Sequence, residues 1–493
     1  MNYVLGIDFG GGASKATLLS EKGEIVSACM VEYPTMYPKP GHAEQNPADW
    51  YDATRTAIST LLKKSGIRSE SIAALSLDAA THTAVLADEN FNVLRPAIYW
   101  TDSRSVEEVR FLKDHYADLI EKQILHKPDT IWTLPQILWV GKHEREIWKK
   151  TRRIMFAKDY VRHQLTGDYA TDRIEAQGSM FFDYNTMNWS QELCEAADLN
   201  PALLPELVNP TDIVGKITRK AAEETGLQEG TPVLCGTTDT AMEVFASGAV
   251  AAGQITIKLA TAGRICVITD KAYPDRNLIN YSHVVNGLWY PGTATKSCAA
   301  SYRWYRDTLG GAEDYRELDH HAAEIPVGCD GLMFHPYLNG ELTPYADPLL
   351  CGSFTGVRAL HGKPHFTRAV LEGVALSMLD CKKALEAISI PHEDQAIVIG
   401  GGSASPLWRQ ILSDTLGMSL IRKENSDSSF GSAMLAGSVI GMFGSLPETV
   451  RFCSKEKSRT VPDPEKTDQY EKMFAKYKAI HDALAPIYHG ETV

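Results

Sequence analysis

The chain has 493 residues, with 49 Lys and Arg against 62 Asp and Glu, and a formal net charge of −13. That length suggests two or three domains with ample core, and 44% apolar with 23% charged residues excludes a disordered, collagen-like or disulfide-stapled chain. The acidic balance argues against nucleic acid or an anionic membrane as the main partner, and nine dispersed cysteines with no CxxC pair fit free thiols in a reducing cytosol.

The opening MNYVLGIDFG lacks a basic stretch and a cleavage site, so it does not read as a signal peptide, and a cytoplasmic location is expected. Residues 3–8 are apolar and β-branched and end in Asp8. The glycine turn 10–12, the alternating run 13–19, a second turn at 21–23 and the run 25–33 predict an antiparallel meander. Helical patterning follows over 48–64. A strand pair is expected at 72–77 and 83–87, flanking Asp78 and His82, and mostly helices and loops fill about 105–225.

A second unit begins near Gly253. Residues 254–259 and 263–269 are strand-like and are joined by Ala260, Thr261 and Ala262, which repeats the opening plan in pattern though not in sequence. A strand at 396–399 runs into Gly400, Gly401 and Gly402 and then a helix from Pro406. The uncharged stretch 428–447 is about a membrane's width long. Its spaced glycines and serines nevertheless favour a buried helix with a close-packed small face. An amphipathic helix near 470–484 closes the chain. The expected division is 1–248, 253–445 and a helical extension 446–493, with no low-complexity linker and with the first two regions facing each other across a cleft.

Four segments can carry chemistry. In GIDFGGGASK, a strand ending in Asp8 feeds a glycine hairpin whose bare backbone admits phosphate oxygens, and the Asp8 carboxylate suits a hydrated Mg2+. The competing reading is a tight hairpin that only needs positive φ. In CGTTDTAMEVFASG, Asp239 stands where a helix begins and can accept a proton from a substrate hydroxyl; alternatively it is an N-cap. GGGSASP, at 400–406, allows a flat ligand to lie on backbone or is simply a strand-to-helix turn. Thr81, His82, Trp100, Asp102 and Arg104 resemble a sugar-binding wall, although His82 alone reads as structural and Asp102 with Arg104 as a surface ion pair.

In this order, the pieces resemble the FGGY family of carbohydrate kinases, of the actin/hexokinase/Hsp70 ATPase superfamily, and the match runs over nearly the whole chain. Its most specific part is GSFTGVRALHGKPHFTRAVLE at 352–372, which fits the family's C-terminal signature at every defined position. FHPYLNGELTPYADP and GHAEQNPADWYDA are similar to two further family segments, with Leu342 where Arg is usual. The resemblance implies an α/β fold of two RNase H-like domains and ATP-dependent phosphorylation of a small sugar, with ATP and Mg2+ as cofactors.

It further implies that Asp8, Gly10, Gly11, Gly12, Ser14 and Lys15 form the first phosphate motif, and Thr261 and Gly263 the second. Gly400, Gly401 and Gly402 would form the adenosine motif and Asp239 the catalytic base. Thr81, His82, Trp100, Asp102 and Arg104 fall on the sugar side, with His82 pointing to the xylulokinase-like branch and a pentulose such as xylulose. Ribulose and other ketoses or polyols stay open, and family analogy suggests a homodimer. The chain departs from the family pattern at Gly11 (usually Thr), at Ala260 and Ala262 (usually Gly and Ser), at Gln136 (usually Lys), and at Ala80 and Thr81, where xylulokinases have Gln-Met. The missing hydroxyls at 11 and 262 give some footing to a non-catalytic ATP- or sugar-binding relative. An Hsp70-like ATPase would instead need a β-sandwich in the second half.

Overall fold

The computed structural model describes residues 2–275 and 277–490, so residues 491–493 of the expected C-terminal extension lie outside it. The chain folds into two compact units. The first comprises residues up to 250 together with 281–287 and 425–454; the second comprises 251–280, 288–424 and the remainder from 455.

The first unit is built on β1 (Tyr3–Phe9), β2 (Ala13–Ser20), β3 (Ile25–Glu32), β4 (Ile72–Ala79), β5 (Ile213–Lys216), β6 (Pro232–Leu234) and β7 (Thr237–Thr238). The sheet order is β3-β2-β1-β4-β6-β5, with β7 also pairing with β4. The first three strands form the antiparallel meander, whereas β4 lies parallel to β1 and sets Asp78 directly beside Asp8. Strands form at both expected places around His82, but they do not pair with each other. The left-handed turn at His82 (φ 68°) separates them, and Ala84–Ala87 pairs instead with Arg153–Phe156.

Helix α1 (Pro47–Ser65) starts at an Asn46 cap with Pro47 in its first turn and stops at left-handed Gly66. Its buried stripe of Trp50, Ala53, Ala57 and Leu61 has the spacing of one helix face. Helices α2 (Ala157–Thr166), α3 (Arg173–Gln177) and α4 (Asp239–Ser247) complete the parts that matter below. The uncharged stretch forms the helix Ser428–Val439, buried from Ser428 to Gly437. A Cβ at Gly6 of β1 would lie 1.9 Å from Ser429 O, and one at Gly431 would lie 2.4 Å from Met242 O of α4, so small residues are what let these elements touch. Among the described residues no helix is long and apolar enough to cross a membrane.

The second unit has β8 (Ile255–Leu259), β9 (Gly263–Val267), β10 (Gly292–Thr295), β11 (Gln395–Ile399), β12 (Ser419–Lys423) and β13 (Glu456–Thr460), in the order β10-β9-β8-β11-β12-β13. Its pairings run antiparallel, antiparallel, parallel, parallel, antiparallel, the same sequence of directions as β3-β2-β1-β4-β6-β5. Helix α5 (Ala299–Thr308) follows β10, α6 (Lys363–Ala387) runs through the core, and α7 (Pro406–Leu416) follows β11. Among the described residues this half contains one six-stranded sheet and a two-stranded one, and no β-sandwich. All nine cysteines are free thiols.

Residues of the C-terminal signature turn out to be packing residues. Glu372 on α6 is buried and takes hydrogen bonds from Gly328 N (3.1 Å), Arg368 Nε (2.8 Å) and Tyr470 Oη (2.9 Å). Gly356 is left-handed (φ 78°), and a Cβ there would meet Gly331 O at 2.4 Å.

Candidate active site

The turn between β1 and β2 does not use its glycines for positive φ, since none of Gly10, Gly11 and Gly12 is left-handed. The turn is instead fixed through its carbonyls. Tyr33 Oη donates to Gly10 O (2.8 Å), Gln45 Nε2 to Gly11 O (2.9 Å) and Tyr33 N to Gly12 O (2.9 Å). Gly11 is exposed, and a Cβ there would come 3.2 Å from Tyr99 Oη. Lys15 pairs with Asp427 at 3.0 Å. Ser14 points away from the turn's open side: it is fully buried, with Oγ 2.9 Å from Thr54 Oγ1.

Three carboxyl groups gather at the strand ends behind this turn. Thr238, not Asp239, caps α4, its Oγ1 accepting from Ala241 N at 3.3 Å, which removes the capping explanation for Asp239. Asp239 is the first residue of α4, with Oδ1 accepting from Thr240 N at 2.6 Å. Asp8 is pushed up to about 7, first by burial and then by the charge of Asp239, against the stabilising hydrogen bond from Asp78. Burial and then the Asp8 charge hold Asp78 well above the usual carboxylate range. Asp78 Oδ2 also takes the Ser432 hydroxyl at 2.5 Å. Asp78 is a further candidate that strand patterning alone misses, because only the parallel register of β1 and β4 puts it beside Asp8.

Asp8 Oδ1 is shielded and has no hydrogen-bond partner among the described residues. A hard anionic oxygen of this kind fits Mg2+, which takes one or two carboxylates and leaves its other positions to water and phosphate. The described residues contain no cluster of three or more His, Cys, Asp or Glu groups able to hold a metal on their own.

The sugar-wall residues fall into two sets. Thr81 Oγ1 lies 2.5 Å from His82 Nε2, and the His82 ring sits edge-on to Trp132 (4.5 Å) with Tyr281 Oη 3.4 Å from Nε2. A Cβ at Gly178 would fall 2.2 Å from His82 Nδ1, so glycine there makes room for the ring. Trp132 and Tyr281 come from segments with no motif of their own and are found only by the fold. Asp102 and Arg104 form a buried pair rather than a surface one. Arg104 Nη2 lies 2.7 Å from Asp102 Oδ2 and Nη1 lies 2.8 Å from Glu44 Oε1, while its guanidinium stacks over Trp139 at 4.9 Å. Asp102 Oδ2 also accepts from Ala43 N at 2.6 Å. These two therefore brace the wall, while Trp100 is 42% exposed and offers a ring face.

In the second unit, exposed Thr261 lies in the turn between β8 and β9. Cys298 N donates to Thr261 O (3.0 Å) and Ala299 N to Ala260 O (2.7 Å), and Arg303 of α5 reaches Thr261 Oγ1 at 3.3 Å. Arg303 is a cation beside the phosphate-type turn that no motif flagged. A Cβ at Gly263 would meet Met378 Sδ at 2.7 Å, so that glycine serves packing. The three glycines after β11 divide their work. Gly400 is left-handed (φ 85°), Gly402 makes room for Trp408, and Gly401 has open space above it.

Comparison with known proteins agrees with this architecture. Residues 3–246 match the N-terminal domain of the FGGY family of carbohydrate kinases, and residues 265–439 match its C-terminal domain. The chain is 32% identical to xylulose kinase of Bacillus subtilis, over 98% of this chain and 97% of that protein. It is 29% identical to a gluconokinase of the same organism, over 88% and 87%. The ligand-bound xylulose kinase from Lactobacillus acidophilus superposes with a TM-score of 0.92 at 25% identity, covering all of both chains. The chain thus belongs to the FGGY family of carbohydrate kinases and is an enzyme that transfers phosphate to a sugar hydroxyl, built on the two-domain fold of the actin and hexokinase superfamily.

Proposed function

We propose that the acceptor is a neutral pentulose, xylulose before other ketoses and polyols, phosphorylated from ATP with Asp239 as general base. The observation that carries this reading is the placement of Asp239: it opens α4 without capping it, and its charge is felt by Asp8 in the same unit. Phosphoryl transfer asks the protein for alignment, charge neutralisation and removal of the nucleophile's proton, and little else. Asp239 would accept that proton, and Thr81 and His82 would orient the sugar. Thr261, Arg303 and the bare turn at 10–12 would meet phosphate oxygens, and Gly401 would leave its backbone open to the adenosine. Asp8 would hold Mg2+, whose chemistry is to draw charge from the phosphates and align them.

Xylulose kinases are the relatives that support the choice of sugar. Within the wall, the guanidinium of Arg104 is already matched by Asp102 and Glu44, which disfavours an aldonate carboxylate as ligand there. The test is coupled ADP release with MgATP against ketoses, aldoses, aldonates and polyols. Xylulose should give the highest kcat/KM. A panel in which gluconate or a polyol wins would overturn the sugar assignment, and a panel with no stimulation would overturn the reading as a whole.

A further inference from the structure

The first unit contains a charged cluster that takes no part in the chemistry above. Lys158 and Arg162 of α2 are each 0% exposed. Lys158 Nζ lies 2.5 Å from Asp159 Oδ1 and 2.9 Å from Asp172 Oδ2. Arg162 lies 3.0 Å from Asp159 and 2.8 Å from Asp168, and its Nη1 donates to Cys235 O at 2.7 Å. Burial alone would strip the proton from Lys158, but the charges of Asp159 and Asp172 outweigh it. Buried ion pairs of this kind add little net stability over apolar packing of the same volume. What the cluster provides is fixed geometry, and its contacts lead to two places.

The first is the segment that enters α4. Asp172 Oδ1 accepts the hydroxyl of Thr237 at 2.7 Å, two residues before Asp239, while Arg162 holds the same segment at Cys235. The second is the turn that carries His82. The same Asp172 oxygen caps α3 by accepting from Ile174 N (2.9 Å) and Glu175 N (3.2 Å), and Glu175 Oε1 accepts from His82 N at 2.9 Å. His82 is left-handed, a conformation costly for a residue with a Cβ, so the turn must be held by its surroundings. Thr133 Oγ1 donates to His82 O at 2.8 Å and completes the clamp. One carboxylate oxygen therefore sits between the loop of the candidate base and the turn of the candidate sugar ligand.

We propose that Thr237 is a positioning residue for phosphoryl transfer: its hydroxyl, bonded to Asp172, sets the distance between Asp239 and the sugar held at His82. This rests on the roles given to Asp239 and His82 above. A misplacement of about 1 Å is enough to cost roughly 10²-fold in rate.

The experiment compares Thr237→Val, Thr237→Ala and Thr237→Ser in the full chain, with Asp239→Asn alongside. The valine and alanine variants, lacking the hydroxyl, should lose about 10-fold or more in kcat with KM for ATP within about twofold. The serine variant should restore most of the rate, and all three should melt within a few degrees of the parent. A purely packing role predicts instead that valine outperforms serine. Parental kcat in both Val and Ala variants, with Asp239→Asn inactive, would overturn the positioning role alone. Failure of both Val and Ala variants to fold would overturn it too, by marking the bond as structural. An active Asp239→Asn variant would instead bring down the assignment of the base.

Discussion

The turn at residues 10–12 and the turn at 260–262 join the first two strands of their respective sheets, yet they are held by different means. In the first unit the carbonyls are gripped by Tyr33 and by the Gln45 side chain, which arrive from later segments. In the second they are gripped by backbone amides of Cys298 and Ala299 at the start of α5. Among the described residues, the hydrogen bond to a side chain of either turn is that of Arg303 to Thr261 Oγ1. The comparison teaches that Gly11, Ala260 and Ala262, where the family usually has other residues, are compatible with an intact backbone path, so these departures do not by themselves dismantle the turns.

The largest difference between the units should appear in the chemistry. Asp239→Asn is expected to lower kcat by roughly 10²–10⁴-fold while leaving the thermal midpoint near the parental value, since Thr238 keeps the helix cap. Steady-state kinetics paired with calorimetry would check this; full activity would remove the base from the first unit. Glu372→Ala in the second unit should do the reverse. It strands Arg368 and Tyr470 in the core and should cost about 3–5 kcal/mol in denaturant unfolding, so that any folded fraction keeps its turnover.

Acid should then distinguish the units. Each holds a buried histidine that resists protonation, but in the first unit the raised carboxyl of Asp8 acts in the opposite sense, since the folded state takes up its proton first. Burial lowers His283 to about 3 in the first unit and His335 to about 4 in the second, from 6.5. The unfolded chain therefore binds the extra protons. The contribution of these two histidines is complete above about pH 6.5 and declines as the pH falls toward those values, by about 2 kcal/mol from each group between pH 7 and 5. Melting curves across that range test it, and His335→Gln should flatten the slope. The smallest contrast lies within the second unit. Gly263→Ala should cost about 1–3 kcal/mol by overpacking against Met378, whereas Gly401→Ala should stay within about 0.5 kcal/mol and instead raise KM for ATP.

Much of this arrangement was legible in the residues. The strand–turn–strand openings, α1, the strand at 395–399 and the buried character of 428–439 follow from period and glycine placement. Asp8, Asp239 and His82 stand out as candidates because each lies beside a turn with a motif. What the letters hide is partnership across distance. Asp78 becomes a candidate only through the register of β1 with β4, and Tyr281 reaches His82 across 199 positions of chain. Asp102 with Arg104 reads as a surface pair until Glu44 and Trp139 are seen to cover it. Nor does the glycine signature at 400–402 say which of its members turns the chain, which packs and which is open; neighbouring atoms decide that.

The helix Ser428–Val439 belongs to the first unit although most of the chain between residue 250 and residue 425, namely 251–280 and 288–424, belongs to the second. It lies against β1 at Gly6, bonds Thr17 through Ser429 (2.7 Å) and reaches Asp78 through Ser432. During synthesis, then, the earliest strands leave the ribosome with one face still waiting for residues made nearly last. A nascent or truncated chain ending near 250 would carry that apolar surface uncovered, making it a natural client for chaperones.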